Sequence, residues 1–221
     1  MNKIVRHIIS QLFILYILGM AAASSEKSPE HPSGQDNRLQ KGDRFQEIKA
    51  ELDSAAMVSF DVLTIVESEI FDEIDSTAGK ISIARDGRYV ARLNDDIYLF
   101  DGECVWEFSS ENNQATKRCL GEGEEVENRL GFIKKLDDYY KTSVIKENSI
   151  YRLIKKGEDD GSLPDSMLIY LKESKLARIE YLDLNNDLNK VWILKETISD
   201  SLPEGVFEIN LPDSAEVITL P

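Results

Sequence analysis

From residue 57 onward the chain is a succession of short segments in which apolar and polar residues alternate, each closed by a turn signal. Val58, Phe60 and Val62 alternate with Ser59 and Asp61, the period-two pattern of a half-buried strand. Residues 79–85 lead into Asp86-Gly87 and then 88–93; residues 97–100 lead into Asp101-Gly102 and then 104–108. Asp-Gly favours a type I′ hairpin turn, in which both central residues take positive φ. Further strands are expected at 114–120, 143–147, 150–156, 167–173, 176–183, 190–198 and 206–210, with a hairpin turn at Asn185-Asn186. Short connections of this kind make a largely antiparallel meander.

Two segments have the helical period. Phe45, Ile48, Leu52 and Ala55 recur on one face, and Asp43 is placed to cap their start. Within residues 124–140, Val126, Leu130, Ile133, Leu136 and Tyr140 share a face, behind Glu124, Glu125 and Glu127 at the dipole's positive end. A sheet of this many strands curls. The expected fold class is therefore α+β: a curved antiparallel sheet forming an incomplete barrel, its concave apolar face covered by amphipathic helices.

The start of the chain reads as an address. Lys3 and Arg6 precede an uncharged apolar run from Ile8 to Ala23, and Ala21 and Ala23 fit a cleavage pattern ahead of Ser24. Residues 1–23 are read as a secretory signal peptide, the alternative being an uncleaved anchor; the run is short for a bilayer span. Residues 24–42 hold almost nothing to bury and read as a disordered linker. Residues 43–221 form one domain. No cysteine near the cleavage point could carry a lipid anchor. Loss of Lys3 and Arg6 takes the net charge from −15 to −17, which argues against nucleic acid or anionic headgroups as partners.

Chemistry is constrained by what the expected domain lacks. The two histidines, His7 and His31, lie ahead of it, so Ser-His-Asp and Cys-His catalysis and imidazole-bound zinc are excluded there. Residues 183–189 resemble a calcium loop, but Leu188 and Leu194 stand where its glycine and bidentate glutamate belong. Gly121-Glu-Gly123 lacks the third glycine of a nucleotide loop and follows no strand with a suitable helix start. No cofactor, metal or catalytic residue is assigned, and the chain is not expected to be an enzyme.

Cys104 and Cys119 are the only thiols. In an oxidising compartment they suggest one disulfide. A two-residue turn at Glu111-Asn112 would set Cys104 opposite Cys119 and Trp106 opposite Lys117. Two separately buried thiols are the alternative. Strand alternation also nominates Val58, Phe60, Val62, Ile81, Ile83, Tyr89, Trp106, Phe108, Ile169, Ile179, Tyr181 and Trp192 as the wall of an apolar cavity, or of an ordinary packed core.

Residues 96–108, with Asp101-Gly102 and Val105-Trp106-Glu-Phe108, continue through Asn113-Gln114 to Leu120 and resemble the central hairpins of the outer-membrane lipoprotein carrier (LolA) family. Gly79-Lys-Ile-Ser-Ile-Ala-Arg85 resembles that family's strand ending in an arginine. Val206-Phe207-Glu-Ile209 through Pro212 to Val217 resembles its closing strand and proline turn. The resemblance spans roughly residues 43–218. It departs at Asp86-Gly87, where the family often has proline, at Val62-Leu63-Thr64 in place of a Phe-x-Gln signature, and at Ala91 in place of an aromatic.

The resemblance implies a monomeric periplasmic carrier. It would take lipoproteins from an inner-membrane ABC exporter, shield their acyl chains, and pass them to an outer-membrane acceptor lipoprotein. The alternative is a lipid- or envelope-protein-binding sensor or assembly factor of the same fold. The resemblance also implies that Arg85 latches the helical lid of Val126, Leu130, Ile133 and Leu136. By parity with Ile81 and Ile83 its side chain would face the apolar side and bond carbonyls at a helix end, such as those after Leu136. The competing reading turns Arg85 out to solvent at the bend.

Overall fold

The computed structural model describes residues 43–121, 136–157 and 163–221. The signal and linker expected before residue 43, and the lid positions Val126, Leu130 and Ile133, lie outside them. The described chain runs α1 (Arg44–Ser54), β1 (Met57–Ser68), β2 (Glu73–Ala84), β3 (Tyr89–Leu93), β4 (Asp96–Phe100), β5 (Cys104–Ser109), β6 (Gln114–Cys119), β7 (Tyr140–Lys146), β8 (Ile150–Lys155), β9 (Ser166–Lys172), β10 (Lys175–Leu182), β11 (Leu188–Ser199) and β12 (Glu216–Leu220). Residues 136–139 are helical and lead directly into β7.

All twelve strands form one open sheet, in the order β12-β6-β5-β4-β3-β2-β1-β11-β10-β9-β8-β7. Every neighbouring pair is antiparallel except β12 with β6. The α+β, incomplete-barrel architecture is the one observed.

The curl can be read from α1. Asp43 caps it as expected, its Oδ1 accepting from the Phe45 N–H at 3.0 Å. At the N-terminal end, Arg44 Nε donates to Ser174 O at 2.8 Å in the β9–β10 turn, and Phe45 packs on Tyr151 of β8 at 5.0 Å between ring centroids. Just past the C-terminal end, Ala56 N donates to Ser199 O, and Arg85 N, after β2, donates to Ala56 O, both at 2.9 Å. Laid flat at ~4.8 Å per strand, β8 and β2 would be about 24 Å apart. A helix of this length reaches only ~16 Å. The sheet therefore wraps around α1.

Gly79 sits where this coiling is tight. It pairs with Val62 on β1 and Leu93 on β3. A Cβ there would lie 2.0 Å from Arg92 O and 2.8 Å from Leu93 Cα. Only a glycine lets β2 and β3 come this close.

Both Asp-Gly hairpins form, with different turns from the type I′ expected. Only the glycines take positive φ, 96° at Gly87 and 108° at Gly102. At the first, Gly87 N donates to Ala84 O and Ala84 N to Arg88 O, the longer hairpin loop that ends in a left-handed glycine. At the second, the Asp101 carboxylate receives the Glu103 and Cys104 N–H groups, each at 2.8 Å, so its side chain organises the turn.

Three further differences concern extent. β1 and β2 run on as a long hairpin through Ser68 and from Glu73, where the polar residues carry no strand signal. Tyr140, expected on the second helix, opens β7. The strand expected at 206–210 is absent. Residues 200–215 instead form an irregular strap that crosses the outer face from the end of β11 to the start of β12. Phe207 is buried against Met57, Ala84, Val90 and Leu99, with the Arg88 guanidinium 5.2 Å above its ring. Arg92 donates to Glu208 O at 3.3 Å.

In the β5–β6 hairpin Cys104 faces Cys119 and Trp106 faces Lys117, and the two cysteines are disulfide-bonded. Asn113 N donates to Ser110 O across the Glu111-Asn112 turn. Closing a loop of 15 residues restricts the unfolded chain by about 3 kcal/mol. Replacing both cysteines by serine should lower unfolding stability by about that much in a urea titration. An unchanged midpoint would mean that the backbone ladder alone fixes this hairpin.

Candidate functional site

The concave face presents one continuous apolar surface. β1 contributes Val58, Phe60 and Val62; β2 contributes Ile81 and Ile83; β3 contributes Tyr89. On the other side of the curl, Ile169 and Tyr181 join them, and Ile179 packs at the margin. Phe45, Ile48 and Leu52 of α1 fill the middle, and Leu136, the described member of the expected lid, is buried in the same cluster. Alternation alone missed Tyr98, Phe100, Tyr151, Leu153 and Met167, which also face inward. For Tyr151 and Leu153 the signal was present, since they flank Arg152. Burial first, then a hydrogen bond with Asp43, pushes the Tyr151 phenol up to about 12, so it is neutral at physiological pH.

Three of the expected wall residues are on the other side of the sheet. Trp106 packs in the outer cluster beneath the strap. Its indole N–H donates to Asp101 Oδ2 at 3.0 Å and Lys117 lies 4.7 Å over its ring, polar partners that the inner face does not supply. Phe108, two residues on, shares that face by parity and pairs with Ile97 and Ala115. Trp192 lies between the inward Val191 and Ile193 and so points outward, 37% exposed. The Arg178 guanidinium stacks against it at 4.5 Å and against Tyr170 at 4.0 Å.

Arg85 also lies elsewhere than parity predicts. It lies beyond the last paired residue of β2, its side chain is exposed, and it does not enter the apolar face. It does bond a carbonyl at a helix end: Arg85 Nε donates to Ala55 O at 3.0 Å, at the C-cap of α1. The helical segment at 136–139 has lysine partners. Lys49, on the buried side of α1, pairs with the Asp137 carboxylate, and Lys156 donates to Asp137 O. Cations at a helix C-terminus satisfy its free carbonyls and favour its dipole. Nothing in the sequence singles out Lys49, because a lone lysine on an amphipathic helix reads as a solvated residue.

Charge enters the site at its rim. Glu196 pairs with Phe60 of β1, near Glu51 of α1, and is half-buried. Burial raises its pKa; Lys175 opposes the shift and Glu51 reinforces it. The folded state therefore binds this proton more tightly than the unfolded chain does. The ionised carboxylate costs stability above the raised pKa, and the cost disappears as pH falls through that value toward the ordinary one. Glu196→Gln should raise the unfolding midpoint at neutral pH, and the advantage should shrink on acidification. An advantage equal at all pH values would reject this assignment.

Among the described residues no helix is long and apolar enough to cross a membrane, and no cluster of His, Cys, Asp and Glu could hold a metal ion. What the concave face offers is apolar area from many strands with a thin helical cover.

No protein-family model matches the chain, and no curated protein matches it. Solved structures do resemble it. One is an uncharacterized conserved protein from Thermus thermophilus, at 12% identity and a TM-score of 0.49, covering 79% of this chain and 98% of that one. Another is a putative outer membrane lipoprotein-sorting protein domain from Vibrio parahaemolyticus, at 10% identity and a TM-score of 0.38, covering 74% and 94%. A LolA superfamily protein from Nitrosomonas europaea matches at 10% identity and a TM-score of 0.37, covering 74% and 97%.

Proposed function

We propose that this chain is a periplasmic carrier that receives the acyl chains of lipoproteins on its concave face and ferries them from the inner to the outer membrane. The observation that carries the reading is the inner face itself. Apolar side chains from strands on both sides of the curl converge on the short helix α1. The sequence resemblance to the outer-membrane lipoprotein carrier family supports the same role. A 16-carbon acyl chain exposed to water costs about 12 kcal/mol at ~0.8 kcal/mol per CH₂. Cargo with two or three chains cannot cross an aqueous compartment unshielded, and it does not leave its carrier by simple dissociation. Handover therefore requires contact with partners: an inner-membrane ABC exporter to load and an outer-membrane acceptor lipoprotein to unload. The role involves no turnover.

The test is co-purification from the native envelope, with mass spectrometry of what is bound, alongside depletion. Acylated lipoproteins bound to the protein, and their build-up in the inner membrane when it is depleted, support the carrier. A bound regulatory partner with normally sorted lipoproteins would replace the carrier by a sensor of the same fold.

A further inference from the structure

The inner face is apolar only along part of its length. Beyond Val62, β1 continues on the same face with Thr64, Val66 and Ser68. Val66 pairs with Asn189 of β11, which pairs in turn with Tyr181 of β10. Thr64 and Ser68 are thus the two diagonal neighbours of Asn189, each about 7–8 Å away. All three are deeply buried, at 1%, 4% and 0% exposure. Thr64 Oγ1, Ser68 Oγ and Asn189 Oδ1 have no hydrogen-bond partner.

The orientation of the Asn189 amide is determined. Its Nδ2 donates to Asp183 Oδ2 at 3.3 Å and to Asp187 O at 3.0 Å. Both partners can only accept, so the group left over is an acceptor. Folded proteins leave few buried polar groups unpaired. Here two hydroxyl donors and one fixed acceptor are unpaired within one patch, at the end of the inner face away from the Glu196 carboxylate. Valine in place of Thr64 would fill the same shape without the orphaned hydroxyl.

We infer that this patch receives the polar linkage of an acyl ligand, with a carbonyl oxygen accepting from Thr64 or Ser68, which lie ~13 Å apart along β1 on either side of Asn189, and an N–H or O–H donating to Asn189 Oδ1. This rests on the carrier reading and adds a direction to it: the hydrocarbon lies along the Val62 side and the linkage lies at the Thr64–Ser68 end. Both an N-acyl amide and a partly acylated glycerol carry this pairing of acceptor and donor.

Displacement of a bound apolar dye separates the possibilities. The competitors are hexadecane delivered from cyclodextrin, methyl palmitate, N-palmitoylglycine methyl ester and monopalmitoylglycerol. Methyl palmitate should compete better than hexadecane. A ligand with a donor should compete better still, and whichever of the last two is stronger identifies the source of the linkage. Thr64→Val with Ser68→Ala should weaken the carbonyl ligands by about fivefold or more, the value of a neutral hydrogen bond, and leave hexadecane unchanged. The same variant should unfold at an equal or higher temperature than the parent, which shows that the weakening is not a folding defect. The donor side is read by changing the ligand, because substituting Asn189 would also undo its bonds to Asp183 and Asp187. Equal competition by all four ligands, in parent and variant alike, overturns the linkage site and leaves the carrier standing. Failure of all four to compete overturns both.

Discussion

Gly79→Ala is expected to destabilise the protein by on the order of 3–5 kcal/mol, in the range of the severest single substitutions. The added methyl would sit 2.0 Å from Arg92 O and 2.8 Å from Leu93 Cα. Both obstacles are backbone, so no rotamer change relieves the clash; β3 must move away from β2. Gly79 lies in β2 beside Ile81, with Leu93 opposite, at the tight part of the curl. Opening that contact flattens the sheet around α1. The variant should therefore lose both stability and the shape of the concave face. Chemical denaturation measures the first, and binding of an apolar dye the second. A variant as stable as its parent would show that the sheet coils without needing this close approach.

Phe207→Ala is expected to cost about 3–5 kcal/mol, the usual range for a buried phenylalanine. The ring is 6% exposed and is the main apolar anchor of the strap on Met57, Ala84, Val90 and Leu99. Its loss leaves a cavity between strap and sheet and removes the surface under Arg88. β12, which the strap delivers to β6, should become the first element to exchange its amides with solvent. Hydrogen exchange over residues 216–220 and a urea titration check both halves. Unchanged protection of β12 would mean that its pairing with Gln114 through Arg118 holds it without the strap.

The same strap explains which parts of this fold can be read from sequence. Where polar residues occupy the outer face, alternation marks the inward set, as for Val58, Phe60 and Val62 on either side of Ser59 and Asp61. The strap buries the outer side of β2 to β5, so both faces there are apolar and parity loses its meaning. Tyr98-Leu99-Phe100 and Val105-Trp106 are runs of this kind: Tyr98, Phe100 and Val105 face inward, Leu99 and Trp106 outward. Alternation alone then reads Trp106 and Phe108 as inward, and both lie on the outer side. Trp192 misleads for a different reason, because a stacked arginine makes an exposed indole stable. The Cys104–Cys119 register was legible because a short hairpin fixes its own pairing. The polar end of the inner face was not, since Thr64, Ser68 and Asn189 look like ordinary strand and turn residues until their burial and missing partners are seen.

The outward positions of both tryptophans also provide the most direct test of acyl binding on the concave face. A stearoyl chain brominated at mid-chain quenches indole fluorescence only on contact. In a Phe60→Trp variant the new indole lies on the inner face, while Trp106 and Trp192 report from the outer one. The carrier account predicts that the brominated chain, and not its unbrominated counterpart, quenches the variant in a saturable way while the parent protein stays bright. Quenching of the parent to the same extent, or no quenching of the variant at saturating lipid, would contradict it.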